Sequence, residues 1–221
     1  FPRAGCAGGG GAIESSPMTR SIDNSAATGR RPAGPAASPR AVRPAAPGVA
    51  VAVPAPEDFR LPRFRDIPDV GLYLEQVVAY VNGALAPLAV PPLTPSMVSN
   101  YVKQGIVPGP VKKRYGAEQL AYLVFVACAK TVLSMEDIGL FCAMQRVTYD
   151  TATAYDYFCD QLEAAIAFVF GEADDIPETG VTTSAEKTML RYCVIALANV
   201  VYLTAAFAAV RAAGEGQAEG A

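Results

Sequence analysis

Ser96, Ser99, Asn100 and Lys103 are spaced so that a helix gathers them on one face. Lys112, Lys113 and Arg114 follow in a segment closed by Tyr115. Those residue types suit recognition of a patterned polyanion. An asparagine amide pairs bidentately with adenine, and a lysine reaches guanine, from the major groove. A basic triplet neutralises phosphates without regard to sequence and so fixes register. From Thr94 to Tyr115 there are four positive side chains and no Asp or Glu. Polar helix faces and basic turns also occur on ordinary solvated surfaces. What favours duplex DNA here is their order: cap, polar helix, glycine, proline-rich turn, basic segment, further helix.

Other chemistries find little support. The chain contains no histidine, which removes Ser-His and Cys-His catalysis and histidine-containing metal sites. The run GCAGGGG near the start lacks the Gly-Lys-Ser/Thr ending of a phosphate loop. Cys128, Cys142, Cys159 and Cys193 sit among apolar neighbours with no C-x-x-C pair, as buried reduced thiols of a cytoplasmic protein do. No catalytic residue, metal ligand set or cofactor is expected, and the chain is not read as an enzyme.

The helix carrying the polar face is expected over residues 95–104. Thr94 is its N-cap, Pro95 its first residue, and Gly105 the left-handed residue beyond its end. Val98, Val102 and Ile106 form its apolar side. The basic segment is expected as a wing, a short β-hairpin over 107–115. Before them, 71–88 reads as a helix with Leu74, Val77, Val78, Val81, Leu85 and Leu88 inward, ended by Pro87, Pro91 and Pro92. After them, 117–132 is a helix with Leu120, Leu123, Val124 and Ala127 inward. Ser134 caps another over 135–147, and 148–170 has a seam of Tyr155, Phe158, Leu162, Ile166 and Val169. A last helix is expected from Ser184 or Ala185 to about Ala213. The acidic loop between them, 171–183, does not have EF-hand spacing and reads as solvated.

The segments NYVKQGIVPGP, KKRYGAEQLAYL and LSMEDI resemble the MerR family of DNA-binding regulators. In that family a helix with an aromatic pair and a Gly-apolar-apolar-Pro turn precede a wing that ends in an aromatic residue. The resemblance places Asn100 and Tyr101 at the aromatic pair, Gly105 to Pro108 at the turn, and Arg114 and Tyr115 at the wing's end. Two positions depart from the pattern. Asn100 replaces the first aromatic, and Ser99 stands where many members carry arginine. A closer similarity, over roughly Leu61 to Leu140, is to a bacterial family of unknown function with a MerR-like helix-turn-helix. The fold this implies is all-α: a MerR-like winged helix-turn-helix, helices plus one short β-hairpin wing, followed by a C-terminal helical region. The residues it implies in DNA binding are Ser96, Ser99, Asn100, Tyr101, Lys103, Lys112, Lys113, Arg114 and Tyr115.

The organisation expected is a disordered Ala/Gly/Pro/Arg-rich tail over 1–56, the winged domain over 57–147, a helical region over 148–213 for packing, dimerisation or effector response, and a flexible tail over 214–221. Net charge is −3 for the whole chain, but +4 over 1–56 and −9 over 134–221, as in a regulator with a basic head and an acidic body. Residues 192–210 carry no charge and are long enough to cross a membrane. Being mostly alanine with Asn199 and Thr204, they read instead as a soluble buried helix or a dimer interface. The expected partners are therefore double-stranded DNA and a second copy in a homodimer, with no membrane. The alternative is a protein-binding adaptor that keeps the helix-turn-helix fold without DNA, favoured by Ser99 and the acidic body.

Overall fold

The computed structural model describes residues 53–57, 59–68, 70–177 and 184–218, with side chains to 212 in the last helix. The tail expected over 1–56 falls almost wholly outside these residues, as does part of the acidic loop. The described residues are all-α, with six helices and no sheet: α1 Leu74–Leu85, α2 Pro95–Lys103, α3 Ala117–Ala129, α4 Met135–Thr148, α5 Thr151–Phe170 and α6 Ala185–Ala218.

Local signals set most helix ends. The Thr94 hydroxyl accepts from the Met97 N–H at 3.3 Å, and the Ser134 hydroxyl from the Asp137 N–H at 3.1 Å. Several ends differ from expectation: α3 stops at Ala129 rather than 132, and α6 continues to Ala218, through part of the tail expected over 214–221. The first helix begins at Leu74 because Leu72 is taken up by a bridge to Tyr115, and it finishes in a 3-10 turn over Ala86–Leu88. The fifth begins at Thr151, since Tyr149 is extended and Asp150 is the cap, accepting from the Thr153 N–H at 2.9 Å. Those bonds hold the Asp150 carboxyl below its ordinary range.

The centre of the core is α3, where every residue from Gln119 to Ala129 is buried. Val77, Val81 and Leu85 of α1 pack on one side of the core. Tyr155, Phe158, Leu162 and Ile166 of α5, with Val194, Leu197 and Ala198 of α6, belong to the same continuous cluster. Of the expected α5 seam, Val169 alone is only half-buried. The core runs without a gap from 59 to 201, through both expected regions.

The lead-in before α1 is strapped along α5. Asp156, Asp160 and Glu163 lie about one turn apart on that helix. The Asp156 carboxylate accepts from the Phe64 N–H at 2.7 Å. Glu163 accepts from the Leu61 N–H and from both terminal nitrogens of Arg63, each at 2.9 Å, and Arg63 also meets Asp160 at 2.9 Å. Phe59, Leu61 and Ile67 are thereby buried.

The last helix is covered on one side only. Leu190, Cys193, Val194, Leu197 and Val201 are buried, whereas Tyr192, Leu203, Phe207 and Val210 are each about half exposed or more. The buried helix expected over 192–210 is thus a half-buried one, because α5, α3 and α4 reach only its inner face. Ala185–Ala212 is also long and apolar enough to cross a membrane, its most apolar 18-residue stretch having a mean hydropathy of 2.2.

Glu163 ties two distant segments with charge-assisted bonds and only 9% of its side chain is exposed. Glu163→Ala is expected to lower stability in urea unfolding by about 2 kcal/mol, the usual scale for charged hydrogen bonds. A loss below about 0.5 kcal/mol would show that the strap contributes little.

Candidate nucleic-acid interface

α2 is nine residues long and is held at both ends by side chains from other elements. At its start, the Asn82 amide of α1 donates to the Leu93 carbonyl at 3.0 Å and accepts from the Leu93 N–H at 2.8 Å. The Lys130 ammonium donates to the Pro92 carbonyl at 3.5 Å, and burial pulls its pKa down. At its end Gly105 is left-handed at φ 71°, a conformation a Cβ disfavours. There the Ile106 N–H returns to the Tyr101 carbonyl and the Gly105 N–H to Val102, each at 3.0 Å, which is the two-bond Schellman closure.

Arg146 of α4 closes that end from outside. Its Nη1 donates to the Gly105 carbonyl at 3.2 Å and its Nη2 to the Ile106 carbonyl. Its Nε donates to the Tyr122 hydroxyl at 3.1 Å, and the guanidinium lies 4.8 Å above the Tyr122 ring. The Tyr122 hydroxyl in turn donates to Gln145 at 2.7 Å. None of Arg146, Tyr122 or Gln145 was expected at the site. The one available signal is that Arg146 is the sole base between residues 134 and 186, in a segment rich in acids.

Held this way, α2 turns Val98 and Tyr101 inward and leaves Ser96, Asn100 and Lys103 exposed. Ser99 is half-buried and its hydroxyl donates to the Pro95 carbonyl at 3.0 Å. Tyr101 and Tyr115 differ from expectation. They are only 4% and 6% exposed, so their rings are core, and burial pushes both phenols up. Tyr101 follows Val98 by one turn onto the apolar side, and Tyr115 is paired by its backbone to Leu72 in both directions, at 2.8 and 2.9 Å.

The expected wing is present only as a tight turn. Val111 and Arg114 exchange two backbone bonds, at 3.0 and 2.9 Å, and no strand extends from them. Pro108 and Pro110 supply no N–H on the outgoing arm, so a ladder cannot propagate there. Gln119 fixes the arms from α3, accepting from the Gly116 N–H at 2.8 Å and donating to the Gly109 carbonyl at 3.3 Å. Between the paired residues, Lys112 and Lys113 take φ of 49° and 63°, both left-handed. Such primed turns favour Asn-Gly, and a residue with a Cβ there costs about 1–2 kcal/mol. The strain presents both ammonium groups at the tip, where they are exposed and make no ion pair among the described residues. Arg114 is turned back onto α1. It donates to the Gly71 carbonyl and the Tyr73 hydroxyl, each at 3.0 Å, and stacks 4.4 Å above the Tyr73 ring.

The surface assembled is therefore Ser96, Asn100 and Lys103 on a pinned helix, with Lys112 and Lys113 on a strained tip. The four buried cysteines are unpaired. Burial raises all four thiols, Cys142 and Cys193 to about 11 and Cys159 to about 12, so they are neutral at pH 7.

Residues 62–158 match the model of a family described as a domain of unknown function, DUF1836. The match runs from the lead-in through α1 to α4 and into α5. No curated protein and no solved structure matches the chain.

The turn gives a test of the strain. Replacing Lys112→Asn with Lys113→Gly is expected to raise the unfolding free energy by about 1–2 kcal/mol, since Gly removes the strain at 113 and Asn only tolerates the left-handed position at 112. Equal or lower stability in thermal melts would mean that the lysine turn is not strained.

Proposed function

We propose that this protein is a DNA-binding transcriptional regulator of the MerR-like type, acting in the cytoplasm as a homodimer. The observation that carries the reading is the exposed, acid-free face of α2 beside the two-lysine tip. Asn100, Ser96 and Lys103 face base edges in the major groove. Lys112 and Lys113 neutralise phosphates, and Arg114 and the two tyrosines keep turn and helix in place. A rigid helix suits this role, because a mobile one pays ordering entropy on each binding event.

The second copy is assigned to α6. Met189, Tyr192, Val200, Leu203, Phe207 and Val210 are all exposed, and with Ala196 they recur at three- and four-residue steps. That spacing is a helix-pairing seam. A membrane would cover the same residues, but the inner face of α6 is already occupied by the core.

Fluorescence anisotropy over a range of salt concentrations tests the DNA reading. Lys112→Ala with Lys113→Ala is expected to weaken binding to all duplexes alike and to lower the salt slope by about two units. Asn100→Ala is expected to cost about 1–3 kcal/mol at a preferred site and to leave nonspecific binding nearly intact. A wild-type protein that binds no duplex at low salt would replace this reading with the adaptor, to which the half-buried Ser99 and the acidic body are suited.

The dimer has its own test. Sedimentation of the detergent-free protein is expected to give a dimer, and Leu203→Glu with Phe207→Glu a folded monomer. Recovery only with membranes, or an unchanged dimer in the variant, would contradict the assignment to α6.

A further inference from the structure

A cavity of about 250 Å³ lies where α3, α4, α5 and α6 meet, behind the Tyr122–Gln145 pair. Its wall is largely aromatic: Tyr122 and Phe125 from α3, Phe141 from α4, Tyr149 from the following turn, and Tyr157 and Phe158 from α5. Phe125 stacks on Phe141 and meets Phe158 edge-on, both with centroids 5.4 Å apart, so this part of the wall is set by packing. An apolar cavity of about 150 Å³ admits benzene, and this one has room for one to two rings.

Most polar groups of the wall have protein partners, and the exception, the buried Tyr155 hydroxyl, is uncharged and has none among the described residues. Tyr122 donates to Gln145, Gln145 to the Tyr149 carbonyl at 2.8 Å, and Tyr149 to Ser184 at 3.3 Å. Thr151 and Thr153 donate to Glu118 and Asp150. The two charged side chains, Glu186 and Lys187, are opposite in sign. Glu186 accepts from Thr148 at 3.0 Å, and the Lys187 ammonium lies 5.2 Å from the Tyr157 ring. Such a wall selects neither an anion nor a cation. It favours an uncharged, flat, apolar molecule.

The same wall touches the candidate interface. Tyr122 and Gln145 line the cavity, Tyr122 accepts from Arg146, and Arg146 donates to the Gly105 and Ile106 carbonyls at the end of α2. A ligand that shifts or stiffens Tyr122 therefore acts on the clamp of that helix through two hydrogen bonds.

We propose that this cavity binds a small, uncharged aromatic molecule, and that its occupancy is relayed through Tyr122 and Arg146 to the C-terminal end of α2. The regulatory sense of the relay rests on the DNA-binding reading; the site and the relay themselves do not.

The test uses the full chain, without DNA, and N-phenyl-1-naphthylamine as an uncharged aromatic probe that brightens in apolar surroundings. Titration is expected to saturate, and naphthalene to displace the probe. Ala154 lines the cavity and is half-buried, so Ala154→Phe can fill it from the rim. That variant is expected to lose at least tenfold in affinity with an unchanged circular dichroism spectrum. Val70→Asp, at an exposed apolar position outside both the cavity and the α6 seam, is expected to leave affinity unchanged. No saturation, full affinity in Ala154→Phe, or loss of affinity in Val70→Asp would overturn the site. For the relay, hydrogen exchange at the amides of Gly105, Ile106 and Val107 is expected to change at least threefold when the probe binds. Arg146→Gln is expected to abolish that change while the probe still binds. Unaltered exchange in the wild type, or an equal change in Arg146→Gln, would overturn the relay. Because every readout is free of DNA, a protein that binds the probe but no duplex sinks the regulator reading and leaves the cavity standing.

Discussion

A nine-residue helix does not hold itself together in water, and α2 is such a helix. Its outward face is polar, so burial on that side contributes nothing. What remains is a narrow apolar strip, Val98 and Tyr101, and the satisfaction of its ends. Asn82 and Lys130 meet the approach to the helix, Thr94 meets an orphan N–H, and Arg146 takes the carbonyls beyond Gly105. The consequence is a face free to carry whatever polar side chains a partner requires. Rigidity comes from the ends, and recognition chemistry is left to the middle.

That arrangement needs a firm base, which α3 supplies. A helix buried on all sides tolerates no charge, and none occurs from Gln119 to Ala129. The lead-in strap and α5 then close one side of it, with Arg63 and Glu163 joining residues a hundred positions apart. The cost of ordering that loop falls on a few bonds, so each of them matters.

Much of this was legible in the sequence because it is local. Thr94, Pro95, Gly105 and Ser134 sit within a turn of the groups they satisfy, and their roles follow from residue type. The strain at Lys112 and Lys113 was not legible, since nothing about two lysines requests a left-handed turn. The prolines beside them held the signal that strands would not form. The resemblance implies Tyr101 in DNA binding, yet its one-turn spacing from Val98 puts it in the core. Burial of an apolar helix was expected at α6 and is complete at α3 instead. Composition makes both helices eligible, and only non-local packing decides which is surrounded. Arg146 acts across some forty residues to Gly105, beyond the reach of any local pattern.

The central claim is that the exposed face of α2 reads DNA sequence. The most direct measurement is capture of random genomic fragments by the purified protein, followed by sequencing of those retained. The account predicts a shared motif, arranged as two half-sites about one helical turn or a multiple of it apart, as a dimer of major-groove readers requires. It also predicts that Asn100→Ala retains fragments without that motif. Retained fragments with no common sequence in the wild type, or no retention at low salt, would contradict it.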